Sequence, residues 1–144
     1  MKLLLYSDGG SRGNPGISGA GFVIYDNQGT CIARKAVPLG IATNNQAEYV
    51  AISEGLKHAL TYKPEEITCR LDSELIVKQM NGEYRVKDPI LKQIYAEIKK
   101  RIAGTHVSFH HIPREKNKEA DKLSNDAMDK SGSTPFALNN WISS

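Results

Sequence analysis

The sequence predicts an α/β domain in which helices cover the faces of one mixed β-sheet. Two observations support this fold class. Three apolar segments of strand length come first, and helical and strand patterns alternate after them. The 144 residues, of which 40% are hydrophobic and 24% charged, suit one globular domain with its own core.

The first part of the chain predicts three strands, the second and third of them joined as a hairpin. Residues 2–7 form a short apolar run, and we place the end of the first strand at Asp8. Residues 20–29 and 30–40 predict two strands around a turn at 27–29, where the sequence is Asn-Gln-Gly. Strands joined by a tight turn run antiparallel, so this half of the sheet should be antiparallel.

The first long helix is predicted at residues 43–63. Thr43 and Gln46 have the spacing of a capping box, apolar and small residues recur at helical spacing after them, and Pro64 closes the helix. The remaining predicted elements are a strand at 66–72, a short helix from Ser73 to Gly82, a helix from Asp88 to about Ala103, a strand at 106–113 and a helix from about Asn117 to Lys130. This alternation predicts a parallel half of the sheet and five strands in all.

Charge and composition disfavour some classes of protein and leave others open. The net charge of +3 permits an anionic partner without requiring one. The opening residues lack the apolar run of a signal peptide, and no apolar run has membrane-spanning length, so we expect a cytoplasmic protein without a membrane partner. Two cysteines, Cys31 and Cys69, do not make a disulfide framework, and no cysteine–histidine cluster has zinc-finger spacing.

Asp8 raises the first question about function, because it follows directly on a strand that should be buried. Burying a charge is costly unless it is paired or binds a metal. Asp8 therefore either caps a turn before Gly9 and Gly10 or holds a cation. Asp72 ends the strand at 66–72. If the two strands are neighbours, the two carboxylates lie side by side and repel unless a proton or a cation intervenes.

Two further acids fall near the starts of helices. We expect Glu48 in the first turn of the first long helix and Asp121 in the first turn of the last one, where the helix dipole stabilises a carboxylate. Oxygen donors of this kind are the ligands of Mg²⁺ and Mn²⁺. On position alone, routine first-turn acids are the simpler interpretation of both.

Four sequence blocks resemble those of the type 1 ribonuclease H family. They are YSDGGSRGNPGISGAGFVI at 6–24, TNNQAEYVAISEGL at 43–56, LDSELIVKQMNGEYRVKDP at 71–89 and HIPREKNKEADKLSNDA at 111–127. The blocks occur in order with fitting gaps, so the resemblance runs from residue 3 to about residue 128. It implies a ribonuclease H-like fold with a five-stranded mixed sheet of strand order 3-2-1-4-5. We accordingly divide the chain into a catalytic domain at 1–130 and a carboxy-terminal tail at 131–144.

The resemblance also implies a cofactor and a set of ligands. Two Mg²⁺ ions, with Mn²⁺ as an alternative, would be held by four catalytic carboxylates: Asp8, Glu48, Asp72 and Asp121. Asp8 would bridge both ions. Glu48 and Asp72 would hold one of them with it, and Asp121 the other.

The implied reaction is hydrolysis of the RNA strand in an RNA/DNA hybrid by an endoribonuclease that leaves 5′-phosphate and 3′-hydroxyl ends. Two-metal catalysis supplies the attacking water, a stabilised leaving oxygen and charge neutralisation, so no protein nucleophile is needed. We expect the hybrid to be the partner and the enzyme to be a monomer. The implied strand order places two strands between Cys31 and Cys69, so both thiols should be free.

One difference from the family concerns the loop before the last acid. Many members carry a histidine there, and here the loop is shorter, with Arg114 seven residues before Asp121. Arg114 is our candidate for the loop role. It stays protonated and cannot be a general base, but it can stabilise phosphate charge or aid product release. His110 and His111 come just before the loop, and we interpret both as strand histidines.

Substrate contacts are predicted from polar residues and backbone groups near the acids. Amide side chains can both donate and accept, as a 2′-hydroxyl or a minor-groove base edge requires, and the helix start at Thr43 offers N–H groups to a DNA phosphate. The predicted substrate-binding residues are Gly9, Gly10, Asn14, Thr43, Asn44, Asn45 and Gln46. Asn44 and Asn45 could instead only cap the helix.

A basic segment lies where some relatives have a longer basic protrusion. Residues 85–101 carry six lysines and arginines against two acids, a net charge of +4. This segment either contacts nucleic acid in place of the protrusion or forms a solvated helix face.

Other classes of protein are weaker interpretations. A nucleotide-binding loop at 9–16 is disfavoured, because the sequence lacks the Gly-Lys-Ser/Thr ending of a P-loop and the Gly-x-Gly-x-x-Gly spacing. A non-catalytic nucleic-acid-binding module would be expected to have lost one of the four acids, and none is missing. An α/β scaffold for protein contacts would use the tail, but Phe136, Leu138 and Trp141 could equally pack on the domain.

Overall fold

A computed structural model describes residues 1–143 of the chain. The strands are β1 (Lys2–Gly13), β2 (Gly16–Tyr25), β3 (Cys31–Ala42), β4 (Glu66–Leu71) and β5 (His106–His111). The helices are α1 (Asn44–Leu60), α2 (Glu74–Met80), α3 (Pro89–Ile102) and α4 (Lys118–Lys130), with 3₁₀ turns at Arg114–Lys116 and Leu138–Asn140. The strands form one sheet in the order β3-β2-β1-β4-β5, which confirms the predicted fold class, element order and strand order.

Side-chain caps fix the helix starts that the sequence predicts. Thr43 and Gln46 form a reciprocal capping box on α1, with hydrogen bonds of 3.1 and 2.9 Å. Ser73 accepts from a backbone N–H at the start of α2, and Asp88 does the same at the start of α3. Each cap satisfies N–H groups that have no partner inside the helix.

The first strand extends further than the sequence indicates, and the prediction that Asp8 ends it is wrong. β1 continues beyond Asp8 because its antiparallel partner β2 continues beside it, with Asp8 opposite Gly21. On the other side of β1, the parallel pairing with β4 stops at Tyr6, opposite Arg70. Asp8 therefore lies within a strand but just beyond the end of the parallel pair, where β4 gives way to Asp72.

Helices α1 and α4 cover opposite faces of the sheet. Gly9 of β1 faces α1 and the next residue, Gly10, faces α4, as the alternation of side chains along a strand requires. α4 approaches β2 so closely that a Cβ atom at Gly19 would lie 2.6 Å from the Cβ atom of Ala127. The absence of a side chain here lets α4, and with it Asp121, lie directly on the sheet.

The core lies between the sheet and helices α1 and α3. Ile94 and Ile98 of α3 are fully buried against it. Tyr49 of α1 is also fully buried, and its hydroxyl donates to Gln79 Oε1 at 2.6 Å, which links α1 to α2. The helix that carries Glu48 is therefore anchored on two sides.

The segment after α4 packs on the domain. Pro135 forms a β-bridge with Ile41 of β3. The partly buried apolar side chains of this segment are Phe136, Leu138, Trp141 and Ile142. They pack on the domain, as one of the two interpretations of the tail expects. The division of the chain at residue 130 stays a prediction, and the last residue of the tail, Ser144, lies outside the described residues.

Both cysteines are free, as the strand order predicts. Cys31 is exposed on the edge strand β3, and Cys69 is buried on β4, with β2 and β1 between them. As for membranes, none of the helices within residues 1–143 has the length and apolar character needed to cross one.

Candidate active site

Three carboxylates converge at the edge of the sheet where β1 and β4 stop pairing. One oxygen each of Asp8, Glu48 and Asp72 lies within 4.8 Å of the others, and all three residues are partly buried. Asp8 comes from β1, Asp72 follows β4, and Glu48 comes from α1. The structure thus brings three of the four predicted acids into one group.

Glu48 reaches this group because α1 lies against β1. A Cβ atom at Gly9 would lie 2.3 Å from the carbonyl carbon of Ala47, so only glycine allows the approach. Glu48 is the fifth residue of α1, and the prediction that places it in the first turn is wrong. The first turn holds the free N–H groups of a helix. Glu48 has other stabilising contacts, a hydrogen bond with Ser73 and the charge of Arg114.

Burial and mutual repulsion favour the protonated form of two of these acids. Burial, and then the charges of Asp72 and Glu48, raise the pKa of Asp8 to about 8. Burial, and then the charge of Asp72, raise the pKa of Glu48 to about 8, against the lowering effect of Ser73 and Arg114. None of the ion pairs within residues 1–143 includes one of the three acids. The charge of Arg114 only partly offsets the repulsion, and a bound cation would supply the remaining positive charge.

Asp121 stands beside the group of three. It lies in the first turn of α4, as predicted. Its carboxyl group interacts with Asp8 and raises the pKa of that acid further. Ser124, one turn along α4, approaches Asp8 Oδ2 at 3.5 Å. Asp8 is therefore the acid that interacts with all three others.

The four carboxylates line one surface cavity of about 490 Å³. Besides the acids, its lining includes Gly9, Gly10, Asn44, Ser73 and Arg114. Site residues that the sequence places in four separate segments therefore share one concave surface. The cavity is open and polar, which suits a charged ligand better than an apolar one.

Arg114 lies at this cavity, in the 3₁₀ turn Arg114–Lys116 between β5 and α4. Its side chain is exposed, and its charge lowers the pKa of Glu48. His110 and His111 lie on β5, as predicted, and neither lines the cavity. Position thus favours Arg114 over either histidine for contact with a phosphate at the acids.

The predicted substrate-binding residues at α1 are partly occupied by contacts inside the protein. Thr43 and Gln46 cap each other's backbone, so their side-chain oxygens are already used. Asn44 Oδ1 accepts from a backbone N–H of β1 at 2.8 Å, and the Asn44 N–H donates to Asn14 Oδ1 at 3.2 Å. The amide nitrogens of Asn14 and Asn44 and the exposed side chain of Asn45 remain available to a ligand.

Gly9 and Gly10 both line the cavity, for different reasons. Gly9 is required for the approach of α1 to β1. At Gly10, an added Cβ atom would meet only the end of the Met128 side chain, at 3.3 Å. The missing side chain of Gly10 leaves the backbone of β1 open to the cavity, so of the two Gly10 is better placed to meet a substrate.

Three polar residues beside the acids were not predicted as site residues: Ser73, Asn117 and Ser124. Ser73 caps α2 but also hydrogen-bonds with Glu48. Asn117 is buried and donates to a carboxylate oxygen at 2.9 Å. The available signal was closeness in sequence, because Ser73 directly follows one acid and the other two flank another within one helical turn.

The basic segment 85–101 offers fewer free charges than its composition indicates. Lys99 Nζ donates to the carbonyl oxygen of Met80 at 2.8 Å, and Arg101 lies 3.9 Å from Glu97. The exposed cations that remain are Arg85, Lys87, Lys92 and Lys100. A contact between this segment and nucleic acid stays a prediction.

Comparison with known sequences agrees with this site. The sequence model of the family described as Reverse transcriptase-like matches residues 6–127. The bifunctional protein Rv2228c of Mycobacterium tuberculosis is 37% identical over 139 residues, which cover 95% of this chain and 38% of that relative. The chain thus corresponds to a part of the longer protein.

Two solved structures match this chain over nearly their whole length, unlike the longer Rv2228c protein. RNase H1 from the halophilic archaeon Halobacterium salinarum has a TM-score of 0.86 and 37% identity, over 90% of this chain and 99% of that one. LC11-RNase H1, solved in complex with an RNA/DNA hybrid, has a TM-score of 0.85 and 42% identity, over 89% of this chain and 97% of that one. With the strand order and the acids already in place, these matches confirm the resemblance, and the chain belongs to the ribonuclease H family.

Proposed function

We propose that this protein is an endoribonuclease that hydrolyses the RNA strand of RNA/DNA hybrids with divalent metal ions as cofactors. The observation that carries the proposal is the convergence of three carboxylates within 4.8 Å, with Asp121 beside them in the same cavity. Similarity to LC11-RNase H1, whose structure holds an RNA/DNA hybrid, supports the substrate. So does similarity to ribonuclease HI of Halobacterium salinarum, 38% identical over 129 residues.

The donor set fits Mg²⁺ or Mn²⁺. Carboxylate oxygens are the ligands that these hard ions prefer, and the group of three consists of carboxylates alone. The pKa values of Asp8 and Glu48 are raised because these neighbouring carboxylates are partly buried and too little positive charge lies near them. Asp8 interacts with all three other acids, so it would be a ligand common to both proposed ions. Asp72 and Glu48 would hold one ion together with Asp8, and Asp121 would hold the other.

Residues of the chain would hold the phosphodiester against these acids. Arg114 at the cavity can donate to a phosphate oxygen. The free amide groups of Asn14, Asn44 and Asn45 can meet 2′-hydroxyls or base edges in the minor groove. When bound, the two ions would activate a water molecule, stabilise the leaving oxygen and neutralise the phosphate.

The proposed reaction is a direct displacement at phosphorus. The oxygen of water bonds to phosphorus and gives up one proton to solvent, the bond from phosphorus to O3′ breaks with its electron pair on O3′, and O3′ takes up one proton from solvent. The products carry 5′-phosphate and 3′-hydroxyl ends. No side chain becomes attached to RNA, which fits a described cavity lining that contains serines but no histidine to activate them.

A cleavage assay tests the proposal. The protein is incubated with an end-labelled RNA/DNA hybrid, with Mg²⁺ or with EDTA, beside single-stranded RNA, double-stranded RNA and double-stranded DNA. We expect Mg²⁺-dependent cuts in the RNA of the hybrid only, with ends that a 5′-phosphate-dependent exonuclease can degrade. Cleavage that persists in EDTA would contradict the proposal, and so would a failure to cleave the hybrid in Mg²⁺.

A further inference from the structure

Asn117, between β5 and α4, is a buried polar residue, 1% exposed. Its Nδ2 donates to the backbone oxygen of Ser7 at 2.9 Å and to Asp72 Oδ2 at 2.9 Å. Ser7 directly precedes Asp8 on β1. One amide group therefore joins the strand that carries Asp8 to the carboxylate that follows β4.

The two partners fix which end of the amide faces them. A carbonyl oxygen and a carboxylate oxygen are both acceptors, so the NH₂ group must face them and both of its hydrogens are used. Asp72 Oδ2 is thereby held toward β1. Its second oxygen, Oδ1, stays free of this contact and can serve another partner.

This arrangement sacrifices the hydrogen bond that an N-cap asparagine would ordinarily make through its side-chain oxygen. Asn117 occupies the N-cap of α4, a position that asparagine favours because its side chain caps the first turn, yet it makes no side-chain cap bond here. Its Oδ1 is buried without a hydrogen-bond partner within residues 1–143. A residue kept only to start the helix or to pack would not leave this buried oxygen unpaired.

The backbone of Asn117 forms hydrogen bonds with two further residues of the site. Its carbonyl oxygen accepts from the Asp121 N–H at 3.0 Å, and its own N–H donates to the carbonyl oxygen of Arg114 at 2.9 Å. Asn117 is thus bonded to the residue before Asp8, to Asp72, to Asp121 and to Arg114. These are the groups that must keep a fixed geometry around a metal ion and a phosphate.

We propose that Asn117 is a positioning residue that holds Asp72 in the geometry needed for metal binding. The inference rests on the metal-dependent function proposed above. Within residues 1–143, the Asn117 amide is the only side-chain hydrogen-bond donor to Asp72, so its loss would leave the Asp72 carboxylate free to turn away from β1. Groups that orient a metal ligand typically change metal affinity by roughly 10- to 100-fold when they are lost.

The test compares Asn117→Ser with a matched control, Asn81→Ser. Serine at 117 can cap α4 by itself but is too short to reach Asp72. Asn81, at the far end of α2, donates to the carbonyl oxygen of Phe109 at 3.2 Å, so its loss also removes one bond from side chain to backbone. Calorimetric titration of the metal-free proteins with Mn²⁺ gives the affinity, and the rise in Tm on adding Mg²⁺ gives a second reading.

We expect Mn²⁺ affinity to fall by about tenfold or more in Asn117→Ser and to stay within about twofold of wild type in Asn81→Ser. The Mg²⁺-induced rise in Tm should shrink in Asn117→Ser alone. Wild-type affinity in Asn117→Ser would overturn the inference. If that variant does not fold, Asn117→Thr, which also caps a helix and fills more of the space, decides by the same criterion. A wild-type protein that binds no Mn²⁺ would instead overturn the proposed function, and this inference with it.

Discussion

Two carboxyl environments in this chain, one buried and one partly buried, are built in opposite ways. Glu97 on α3 is 5% exposed; it accepts a hydrogen bond of 2.9 Å from the Ser143 N–H and lies 3.9 Å from Arg101. Hydrogen bonding from Ser143, with a smaller effect of Arg101, lowers the pKa of Glu97. Asp8 and Glu48 form no ion pair within residues 1–143, and burial raises the pKa of each to about 8.

Glu97 stabilises the fold, whereas the repulsion among the acids at the sheet edge lowers the free energy of unfolding. The partners of Glu97 show that this chain can satisfy a buried carboxylate. The acids at the end of the parallel strands have neutral hydrogen-bond donors beside them but no ion pair within residues 1–143. Like charges at this distance favour unfolding until a proton or a cation neutralises them. We infer that the sheet edge is built for an external cation, whereas α3 is built for stability.

The largest expected effect is that of Asp8→Asn. The amide keeps the shape of the side chain but removes the charge that interacts with all three other acids. Cleavage of a labelled hybrid should fall by about a thousandfold or more, a loss of several kcal/mol of transition-state stabilisation. The metal-free protein should stay folded, with a Tm equal to or above that of wild type, because repulsion is relieved.

Asp88→Asn is the matched control for this substitution. Asparagine caps a helix about as well as aspartate, and Asp88 caps α3 outside the cavity, so activity should not change. If the activity of Asp8→Asn stays within tenfold of wild type, the proposal that Asp8 binds catalytic metal ions is wrong.

The next effect in size is that of Arg114→Ala. If Arg114 meets the scissile phosphate, its loss removes charge stabilisation from the transition state. The expected loss is about 3 kcal/mol, roughly a hundredfold in kcat, with KM and Tm nearly constant. Lys116→Ala, an exposed cation of the same turn that does not line the cavity, should leave kcat unchanged. Equal kcat values for Arg114→Ala and wild type would show that Arg114 is a solvated side chain that does not contact the scissile phosphate.

Much of the fold could be predicted because its signals are local. The capping box of Thr43 and Gln46, the caps Ser73 and Asp88, and the alternation of strands and helices each lie within a short window of sequence. The four acids were singled out by their positions, but the strand order and the assignment of these acids as metal ligands required the resemblance of four blocks. Spacing alone does not state which strands are neighbours.

The errors and omissions come from long-range contacts. β1 continues beyond Asp8 because β2 pairs with β1 at these positions. The length of β2 cannot be inferred from residues 2–8. Asn117 has the sequence signature of a helix cap, and only the folded chain shows that its amide turns to Asp72 instead. Ser143 supports Glu97 from 46 residues away along the chain.

A smaller effect, on stability alone, is expected for Glu97→Gln. The neutral amide can still accept from Ser143 but loses the charge that strengthens this bond and faces Arg101. The free energy of unfolding in urea should fall by about 1–3 kcal/mol, with unchanged cleavage of the hybrid. Because the folded pKa is lowered, this contribution is present above about pH 4.5 and is lost as the pH falls below that value. A loss of activity without a loss of stability would contradict the contrast drawn between the two regions.

The acids of the cluster should show the opposite dependence on pH. Their ordinary pKa values are 3.8 for Asp8 and 4.5 for Glu48, and both are raised to about 8 in the folded chain. Between these limits the folded state keeps protons that the unfolded state has released. The free energy of unfolding should therefore fall as the pH rises from about 5 to about 8. A bound cation replaces those protons.

The most direct test is urea unfolding of the wild-type protein at pH 5, 6, 7 and 8, in EDTA and in saturating Mg²⁺. We expect the free energy of unfolding in EDTA to decline toward pH 8 and Mg²⁺ to restore most of this loss near pH 8. Asp8→Asn in EDTA should show a flatter profile. A wild-type profile that is level or rising from pH 5 to 8, and the same with Mg²⁺ as with EDTA, would contradict the claim that this acidic cluster is built around an absent cation.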